Sequence, residues 1–206
     1  MLGRQRRPVH ALTLTSGHRD RSSESEPNQE RRGTAVTPDP SQFREAMAHL
    51  PAAVNILTTD GPNGRCGITV SAVCSVTDDP PTVLVCVNRG SAMHDVFRAN
   101  GRVCVNVLGG AQQELALHFA GATKVPMAER FTWDVWDRAH DVPVLKDALV
   151  SAIGTITHAV PMGSHSVLFV DIERIRTHSG GQSLVYFNRA FHRLDATPLI
   201  PEGTRS

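Results

Sequence analysis

The chain has 206 residues, a formal net charge of +1 at pH 7, 40% hydrophobic residues and 20% charged residues. This length and composition are typical of one globular domain with a full hydrophobic core. The near-zero charge gives no general electrostatic attraction to nucleic acid, and no apolar run is long enough to span a bilayer. With no secretory leader pattern either, we expect a cytoplasmic protein that has neither nucleic-acid nor membrane partners.

The four cysteines lie in apolar, strand-like runs, at positions Cys66, Cys74, Cys86 and Cys104. None belongs to a C-x-x-C pair, and their spacing resembles neither a zinc site nor the disulfide framework of a secreted domain. We therefore expect four buried free thiols and no metal site.

The two ends of the chain differ in composition from its middle. Residues 1–38 are rich in Arg, Ser, Glu, Pro and Gly with little apolar periodicity, which predicts a disordered tail. A nucleic-acid-binding arm is the alternative, but interspersed glutamates and missing aromatics disfavour it. The folded domain is expected over residues 39–195, and a flexible tail over residues 196–206.

The first predicted element is a helix capped by Asp39, with Pro40 at its first position and Gln42 completing a capping box. Its apolar residues recur at helical spacing and predict a face in the core. These residues are Phe43, Ala46, Met47 and Leu50.

A strand over residues 53–59 and a turn at Asp60–Gly64 predict a hairpin, whose second arm is Cys66–Val76. This arm alternates with period two, as a half-buried strand does. The predicted core face consists of Ile68, Val70, Ala72, Cys74 and Val76. The other face carries small hydroxyls beside Gly67, so a ligand could approach the backbone closely. An ordinary solvated strand face is the alternative.

The apolar run Thr82–Val87 predicts a strand covered on both faces, which leads into the loop Asn88–Ser91. Ser91 is predicted to cap a helix that ends at Asn100–Gly101. Backbone N–H groups at a helix start, with the charge of Arg89, predict an anion site. A plain strand-to-helix connection is the alternative.

The remaining elements complete a β-rich pattern. Residues 102–108 predict a strand in which Asn106 needs a buried partner. A short helix is predicted over residues 112–119, an edge strand over 131–136, and two long strands over 150–160 and 166–175, with His165 in the turn between them. Residues 183–187 and 190–193 form the last strand-like pieces. His118 has no second ligand at metal spacing, so a satisfied or exposed histidine is expected.

At least seven strands, two or three short helices and no β–α–β alternation predict a mostly β fold, an antiparallel barrel with short peripheral helices. No nucleophile elbow, H-E-x-x-H, phosphate-loop or dinucleotide fingerprint is present in the sequence. The residues alone indicate only two candidate functional features. One is the strand face with small hydroxyls beside Gly67, on which a ligand could lie, and the other is the anion site at the loop Asn88–Ser91.

Several motifs occur in one order along the chain: Ala52–Ile56, Cys66–Thr69, Ala72–Asp78, Ser91–Met93, Cys104–Leu108, His118–Gly121, Glu129–Phe131, and Tyr186–Phe187 with Phe191–His192. Together they resemble the short-chain flavin reductases, whose fold is the FMN-binding split β-barrel, and the similarity covers about Phe43 to Leu194. The resemblance implies a homodimer that reduces FAD or FMN with NADH. It also implies that diffusible reduced flavin passes to a separate two-component aromatic monooxygenase of the hydroxyphenylacetate type.

The resemblance also implies roles for individual residues. The isoalloxazine and ribityl chain would lie on Thr69, Val70, Ser71 and Ala72. The flavin phosphate region would be held by Asn88, Arg89, Ser91, Ala92 and Met93. The flavin wall would be completed by Phe119, Ala120 and Gly121. The catalytic candidate His165 would lie beside the nicotinamide, and the pyridine nucleotide would also contact Phe187, Asn188 and His192.

The Gly-Asp-His turn of the family is Gly163–His165 in this chain, with Ser164 in place of the acidic residue. NADH is implied over NADPH, since no basic cluster is assigned to a 2'-phosphate. Hydride transfer is carried by the two cofactors, which explains why no nucleophile motif is needed. Two alternatives stay open: a flavin-bound oxidase of the pyridoxamine-phosphate type, and a non-catalytic barrel that binds flavin or nucleic acid.

Overall fold

The computed structural model describes residues 37–137, 139–178 and 181–196. Of the tails expected over residues 1–38 and 196–206, residues 1–36 and 197–206 lie outside the described residues. The helices are α1 Pro40–Ala48, α2 His94–Asn100, α3 Gln113–Phe119 and α4 Met127–Arg130, and a 3₁₀ turn over Gly110–Gln112 precedes α3. The strands are β1 Ala52–Ala53, β2 Asn55–Thr59, β3 Cys66–Val70, β4 Val73–Asp78, β5 Pro81–Asn88, β6 Arg102–Val107, β7 Trp136–Asp137, β8 Val144–Leu145, β9 Val150–Met162, β10 His165–Thr177, β11 Ser183–Phe187 and β12 Ala190–Leu194. None of the helices in the described ranges is long and apolar enough to cross a membrane.

The central sheet has seven antiparallel strands in the order β3-β2-β6-β9-β10-β5-β4. Its two edge strands, β3 and β4, are consecutive in the chain and joined only by Ser71 and Ala72. Strand spacings of about 4.8 Å would place the edges of a flat seven-stranded sheet ~29 Å apart. The three Cα steps from Val70 to Val73 span at most about 11 Å. The sheet must therefore curl until its edges meet at Ser71–Ala72, and the predicted mostly β, antiparallel fold with short helices is confirmed.

A smaller antiparallel sheet contains β1, β11 and β12. The β11–β12 hairpin turns at Asn188 and Arg189, whose φ values of 48° and 61° suit a two-residue turn. The Asn188 N–H donates to the carbonyl of Ala48 at 2.7 Å, and Arg189 pairs with Glu45 at 2.5 Å. The hairpin is therefore attached to the C-terminal half of α1.

The N-terminus of α1 confirms the sequence prediction, because Asp39 and Gln42 form the capping box around Pro40. The predicted burial of its apolar face is wrong. The exposed fractions of the apolar residues are 57% for Phe43, 41% for Met47 and 59% for Leu50. The helix is attached through its backbone end and the Glu45 carboxylate, so its apolar face stays uncovered within one chain.

The single strand predicted over Cys66–Val76 is wrong, because the chain leaves β3 after Val70 and enters β4 at Val73. The two-residue break reverses which side chains point inward. Val73 packs against the core, whereas Ala72, Cys74 and Val76, predicted to be core residues, are exposed. Closure of the sheet at this corner is the physical reason for the break.

The prediction of four buried thiols is only partly correct. All four cysteines are free, but Cys74 is exposed and Cys86 half-buried, whereas Cys66 and Cys104 are buried. Burial raises the pKa of the Cys66 thiol to about 12, and burial also raises the pKa of the Cys104 thiol to about 12. These two thiols stay protonated at neutral pH.

The edge strand predicted over residues 131–136 is also wrong, because turns occupy this segment up to Trp136. Phe131 and Trp136 are both buried, with ring centroids 5.1 Å apart. Residues an odd number of positions apart lie on opposite faces of a strand, so joint burial requires a turn. The Trp136 Nε1–H donates to the carbonyl of Arg130 at 2.8 Å, which holds that turn.

Asn106 of β6 is fully buried, and its amide is hydrogen-bonded at both ends, which confirms the prediction of a buried partner. Its Nδ2 donates to the carbonyl of Ile56 at 3.1 Å and to Oγ1 of Thr58 at 3.2 Å. Its Oδ1 accepts from the Leu145 N–H at 2.8 Å and from Oγ of Ser151 at 3.2 Å. One side chain thus joins β2, β8 and β9 to β6.

We expect Asn106→Ala to lower the free energy of unfolding by about 2–4 kcal/mol, because it leaves the buried Leu145 N–H without an acceptor. Urea unfolding followed by circular dichroism measures the change. Gln113→Ala, at an exposed helical position, is the matched control and should change stability by less than about 0.5 kcal/mol. A variant as stable as the parent would contradict a structural role for this amide.

Candidate functional site

A groove of ≈ 660 Å³ opens at the corner where β3 and β4 meet. We call it the corner groove; its lining residues are Phe43, Arg44, Met47, Ala48, Leu50, Ala52, Ser71, Ala72, Tyr186 and Arg189. Its volume lies in the range of small-molecule sites. The uncovered apolar face of α1 therefore lies opposite the two small corner residues, Ser71 and Ala72.

The corner carries free backbone donors. Ser71 and Ala72 are exposed and lie between the two strands. Within the described ranges, neither of their N–H groups makes a hydrogen bond, although the Ala72 carbonyl accepts from the Cys86 N–H at 3.0 Å. Two free donors beside small side chains can bind the polar edge of a flat ligand.

The end of β5 continues the surface of the corner. Asn88 lies two residues beyond Cys86, a distance of about 7 Å along a strand. The Asn88 Oδ1 accepts from the Gly90 N–H at 2.8 Å, which orders the loop. Ser91 Oγ accepts from the Met93 N–H at 3.3 Å. A ligand on the corner can therefore reach the loop Asn88–Met93.

The prediction that Ser91 caps the following helix is wrong. Helix α2 begins at His94, its N-cap position is Met93, and no side chain caps it. A turn through Ser91 precedes the helix, with the His94 N–H bonded to the Ser91 carbonyl at 3.0 Å. Ala92 is exposed, whereas the Met93 side chain packs against the core.

The turn that contains His165 is fastened to the same loop. His165 lies opposite Asn88 in the β10–β5 register. The Arg89 N–H donates to the carbonyl of Ser164 at 2.9 Å, and its Nη1 donates to the carbonyl of Gly163 at 3.3 Å. The Ser164 hydroxyl lies 2.9 Å from Nδ1 of the exposed His165 ring. In the part of the chain that the structure describes, no hydrogen bond occupies Nε2 of this ring.

The remaining predicted floor residues, Thr69 and Val70, are more buried than Ser71 and Ala72. Thr69 is half-buried, and its Oγ1 donates to the carbonyl of Ala116 at 2.7 Å. Val70 is only 8% exposed, and its carbonyl accepts from Nδ2 of Asn55 at 3.3 Å. The Thr69 hydroxyl can therefore only accept a hydrogen bond from a ligand.

The expectation that Gly67 lets a ligand approach closely is wrong, because the ring of Phe119 already covers it. A Cβ atom at Gly67 would lie 2.8 Å from Cε1 of Phe119. The Phe119 side chain is 3% exposed and belongs to the core. Of the predicted flavin wall, only Ala120 and Gly121, which directly follow α3, are exposed.

The predicted nucleotide residues lie on the β11–β12 hairpin. Phe187 is 37% exposed, and Nε2 of His192 lies 3.1 Å from the Phe187 carbonyl. Asn188 forms the turn, so its place depends on α1. Among the described contacts, none joins this hairpin to His165; it borders the corner groove instead.

Sequence reasoning missed two parts of this region. The α1 residues of the corner groove showed an apolar pattern that also fits a core helix. Arg98 and His94 lie beside the Asn88–Gly90 loop in a second cavity, but nothing in their spacing indicates it. No group of three or more His, Cys, Asp or Glu residues in the described ranges is arranged to hold a metal ion. His118 is satisfied as expected, since its Nδ1 lies 2.7 Å from Oγ1 of Thr123.

Comparison with known proteins identifies the family of this chain. A sequence model described as the flavin reductase like domain matches residues 47–195. The chain belongs to this flavin reductase family. It is 54% identical over 160 residues to the 4-hydroxyphenylacetate 3-monooxygenase reductase component of Pseudomonas aeruginosa, covering 77% of this chain and 94% of the relative. It is 47% identical over 156 residues to the FMN reductase (NADH) RutF of Stutzerimonas stutzeri, covering 75% and 88%.

A solved structure shows the same fold. BorF, the flavin reductase component of a bacterial two-component tryptophan halogenase, has a TM-score of 0.72 and 27% identity, covering 77% of this chain and 100% of that one. The resemblance to short-chain flavin reductases, stated from the motifs, is thereby confirmed. The corner also fits a flavin, because small exposed side chains and two free N–H donors border a groove large enough for a ring system.

Proposed function

We propose that the chain is an NADH-dependent flavin reductase that reduces FAD or FMN and releases the reduced flavin. The observation that carries this function is the corner groove, with free N–H groups at Ser71 and Ala72, in a chain whose family match covers residues 47–195. When bound, the nicotinamide and the flavin supply the hydride transfer themselves. The protein has to bind both, orient them and keep them in contact.

Each group of residues has a proposed task. Ser71 and Ala72, with Thr69 and Val70 beneath them, form the flavin floor. The loop that contains Asn88 and Arg89, together with Ser91, Ala92 and Met93, holds the phosphate region. The exposed end of α3 at Ala120 and Gly121, beside the buried Phe119, closes the flavin wall. The β11–β12 hairpin contributes Phe187, Asn188 and His192 to the pyridine nucleotide.

His165 is proposed to orient the nicotinamide through Nε2. The hydroxyl of Ser164 contacts Nδ1, which fixes the ring plane and leaves Nε2 available to a ligand. Arg89 holds this turn against the loop by two hydrogen bonds. A displacement of the loop would therefore also displace the imidazole.

The proposed acceptor of reduced flavin is a separate flavin-dependent aromatic monooxygenase of the hydroxyphenylacetate type. Support comes from the relative named as the reductase component of such an enzyme. We place the protein in the cytoplasm, in agreement with its four free cysteines.

A homodimer is proposed through the outer face of the central sheet. Two cross-strand rows form this face: His158, Phe169, Leu84 and Cys74, and next to it Val160, Val167, Cys86 and Ala72. All eight are exposed or half-buried and none is acidic or carries a lysine or arginine charge. The sequence predicted that β5 is covered on both faces; within one chain Leu84 and Cys86 are only half-covered. A second copy would complete the cover.

Anaerobic incubation with NADH and, in turn, FAD, FMN or riboflavin tests the reductase activity. We expect rapid loss of NADH absorbance only when a flavin is present, because the flavin is the acceptor. NADPH with the same flavins serves as the comparison for nucleotide preference. NADH consumption that does not depend on added flavin, or a flavin retained through dialysis with direct oxidation of an organic amine, would refute the proposal.

We expect His165→Ala to raise KM for NADH by about tenfold, because one hydrogen bond to the nucleotide is lost, while the Kd for flavin changes less than twofold. Ser164→Ala should give a smaller increase, and Ser164→Thr, which keeps the hydroxyl, should restore the parent value. Steady-state kinetics and flavin fluorescence titration measure the two quantities. His178→Ala, at an exposed histidine just after the far end of β10, is the control. Unchanged NADH kinetics in His165→Ala would contradict the proposed role of His165.

We expect Val160→Lys to shift the protein from dimer to monomer in sedimentation velocity, because a buried unpaired ammonium opposes association. Val160 is 43% exposed in the single chain and is the β9 member of one of the two rows of the outer sheet face. Gln113→Lys adds the same charge on α3 and should leave the dimer intact. A parent protein that sediments as a monomer would contradict the proposed interface.

A further inference from the structure

A second cavity, of ≈ 650 Å³, lies next to the loop Asn88–Gly90. Helix α2 lines it with His94, Asp95 and Arg98, and Ser166 of β10 lies beside His94 in the lining. We call it the Arg98 pocket. Because it shares Asn88 and Arg89 with the proposed flavin phosphate site, a ligand can extend from one into the other.

The positive charges of this pocket have no carboxylate partner. Among the described residues, the Arg89 guanidinium donates only to the carbonyl of Gly163, and the Arg98 guanidinium makes neither an ion pair nor a hydrogen bond. Asp95 lies one helical turn before Arg98, but its Oδ1 is 2.8 Å from Nδ1 of His94. Two guanidinium groups therefore remain available to an anion, whereas the one carboxylate is already engaged.

The His94 side chain, which lines the pocket, is held in place without a ligand. His94 is 5% exposed, and both of its ring nitrogens are bonded: Nδ1 to Asp95 and Nε2 to Oγ of Ser166 at 2.9 Å. A side chain held at both nitrogens keeps its position before a ligand arrives. Binding then costs little ordering of the pocket.

We propose that the Arg98 pocket binds the second phosphate of FAD, the one on the adenosine side, and gives the chain a preference for FAD over FMN. This inference rests on the proposed function. If the first phosphate lies at the loop Asn88–Gly90, the second phosphate, which is bonded to it, can lie next to Arg98. A guanidinium group can form two parallel hydrogen bonds to phosphate oxygens. The cavity volume exceeds what one phosphate needs, so it also has room for the adenosine.

Binding measurements test the pocket without relying on turnover. Titrations by calorimetry would use FAD, FMN, riboflavin, ADP and NADPH with the parent chain and with Arg98→Gln. We expect the parent to bind FAD about tenfold more tightly than FMN, and ADP to compete with FAD. Arg98→Gln should weaken FAD and ADP about fivefold to twentyfold, the range of one charge-assisted contact, and leave FMN and riboflavin within twofold. Added salt should weaken FAD more than riboflavin.

Arg174→Gln removes the same charge from an exposed position on β10 and is the matched control. An unchanged FAD affinity in Arg98→Gln, or an equal loss for FAD and FMN, would overturn the inference. A loss confined to NADPH would also overturn it, because the pocket would then recognise a 2'-phosphate. Those results leave the reductase function intact if the parent still binds and reduces FMN. A parent chain that binds no flavin refutes the function itself.

Discussion

The two-residue connection between β3 and β4 is the constraint on which the rest of the structure depends. Because Ser71 and Ala72 join the two edges of a seven-stranded sheet, the sheet has to curl and close at that point. Closure also leaves the N–H groups of both residues without a partner among the described residues, although the Ala72 carbonyl still bonds β5. The same short connection thus determines the barrel shape and creates the candidate ligand surface.

The site is assembled by backbone contacts more than by reactive side chains. Arg89 bonds the His165 turn, the Ala72 carbonyl bonds β5, and Asn188 bonds the end of α1. Such an arrangement suits a reaction in which the cofactors carry the chemistry, because positioning is then the main task of the protein. It also explains why the sequence contains no catalytic motif, although it belongs to an enzyme family.

Local sequence patterns predicted an element correctly where the residues that determine the element are close together in the chain. The capping box of α1, the β2–β3 hairpin and the long β9–β10 hairpin all follow from neighbouring residues. The failures depend on distant parts of the chain. The inward face changes at Ser71 because a barrel must close, and Gly67 is covered by Phe119 of a helix about fifty residues later. No window of sequence contains that information.

The candidate site follows the same rule: its local motifs were predicted, and the features that depend on distant contacts were not. The loop at Asn88 and the His165 turn were named from motifs, and the structure places them side by side. The apolar face of α1 was visible in the sequence but assigned to the core, since a periodic stripe does not reveal what covers it. Arg98 could not be singled out, because its proposed role depends on the Asp95 carboxylate being turned towards His94.

The contrast among the four cysteines has a chemical consequence. Reduced flavin that meets oxygen yields peroxide, and peroxide attacks thiolates rather than thiols. With a pKa of about 12, Cys66 and Cys104 hold roughly one thiolate in 10⁵ molecules at neutral pH. The two buried thiols are therefore protected from the peroxide that forms when reduced flavin reacts with oxygen. Cys74 is exposed within one chain, and it lies in the outer sheet face that the proposed second copy would cover.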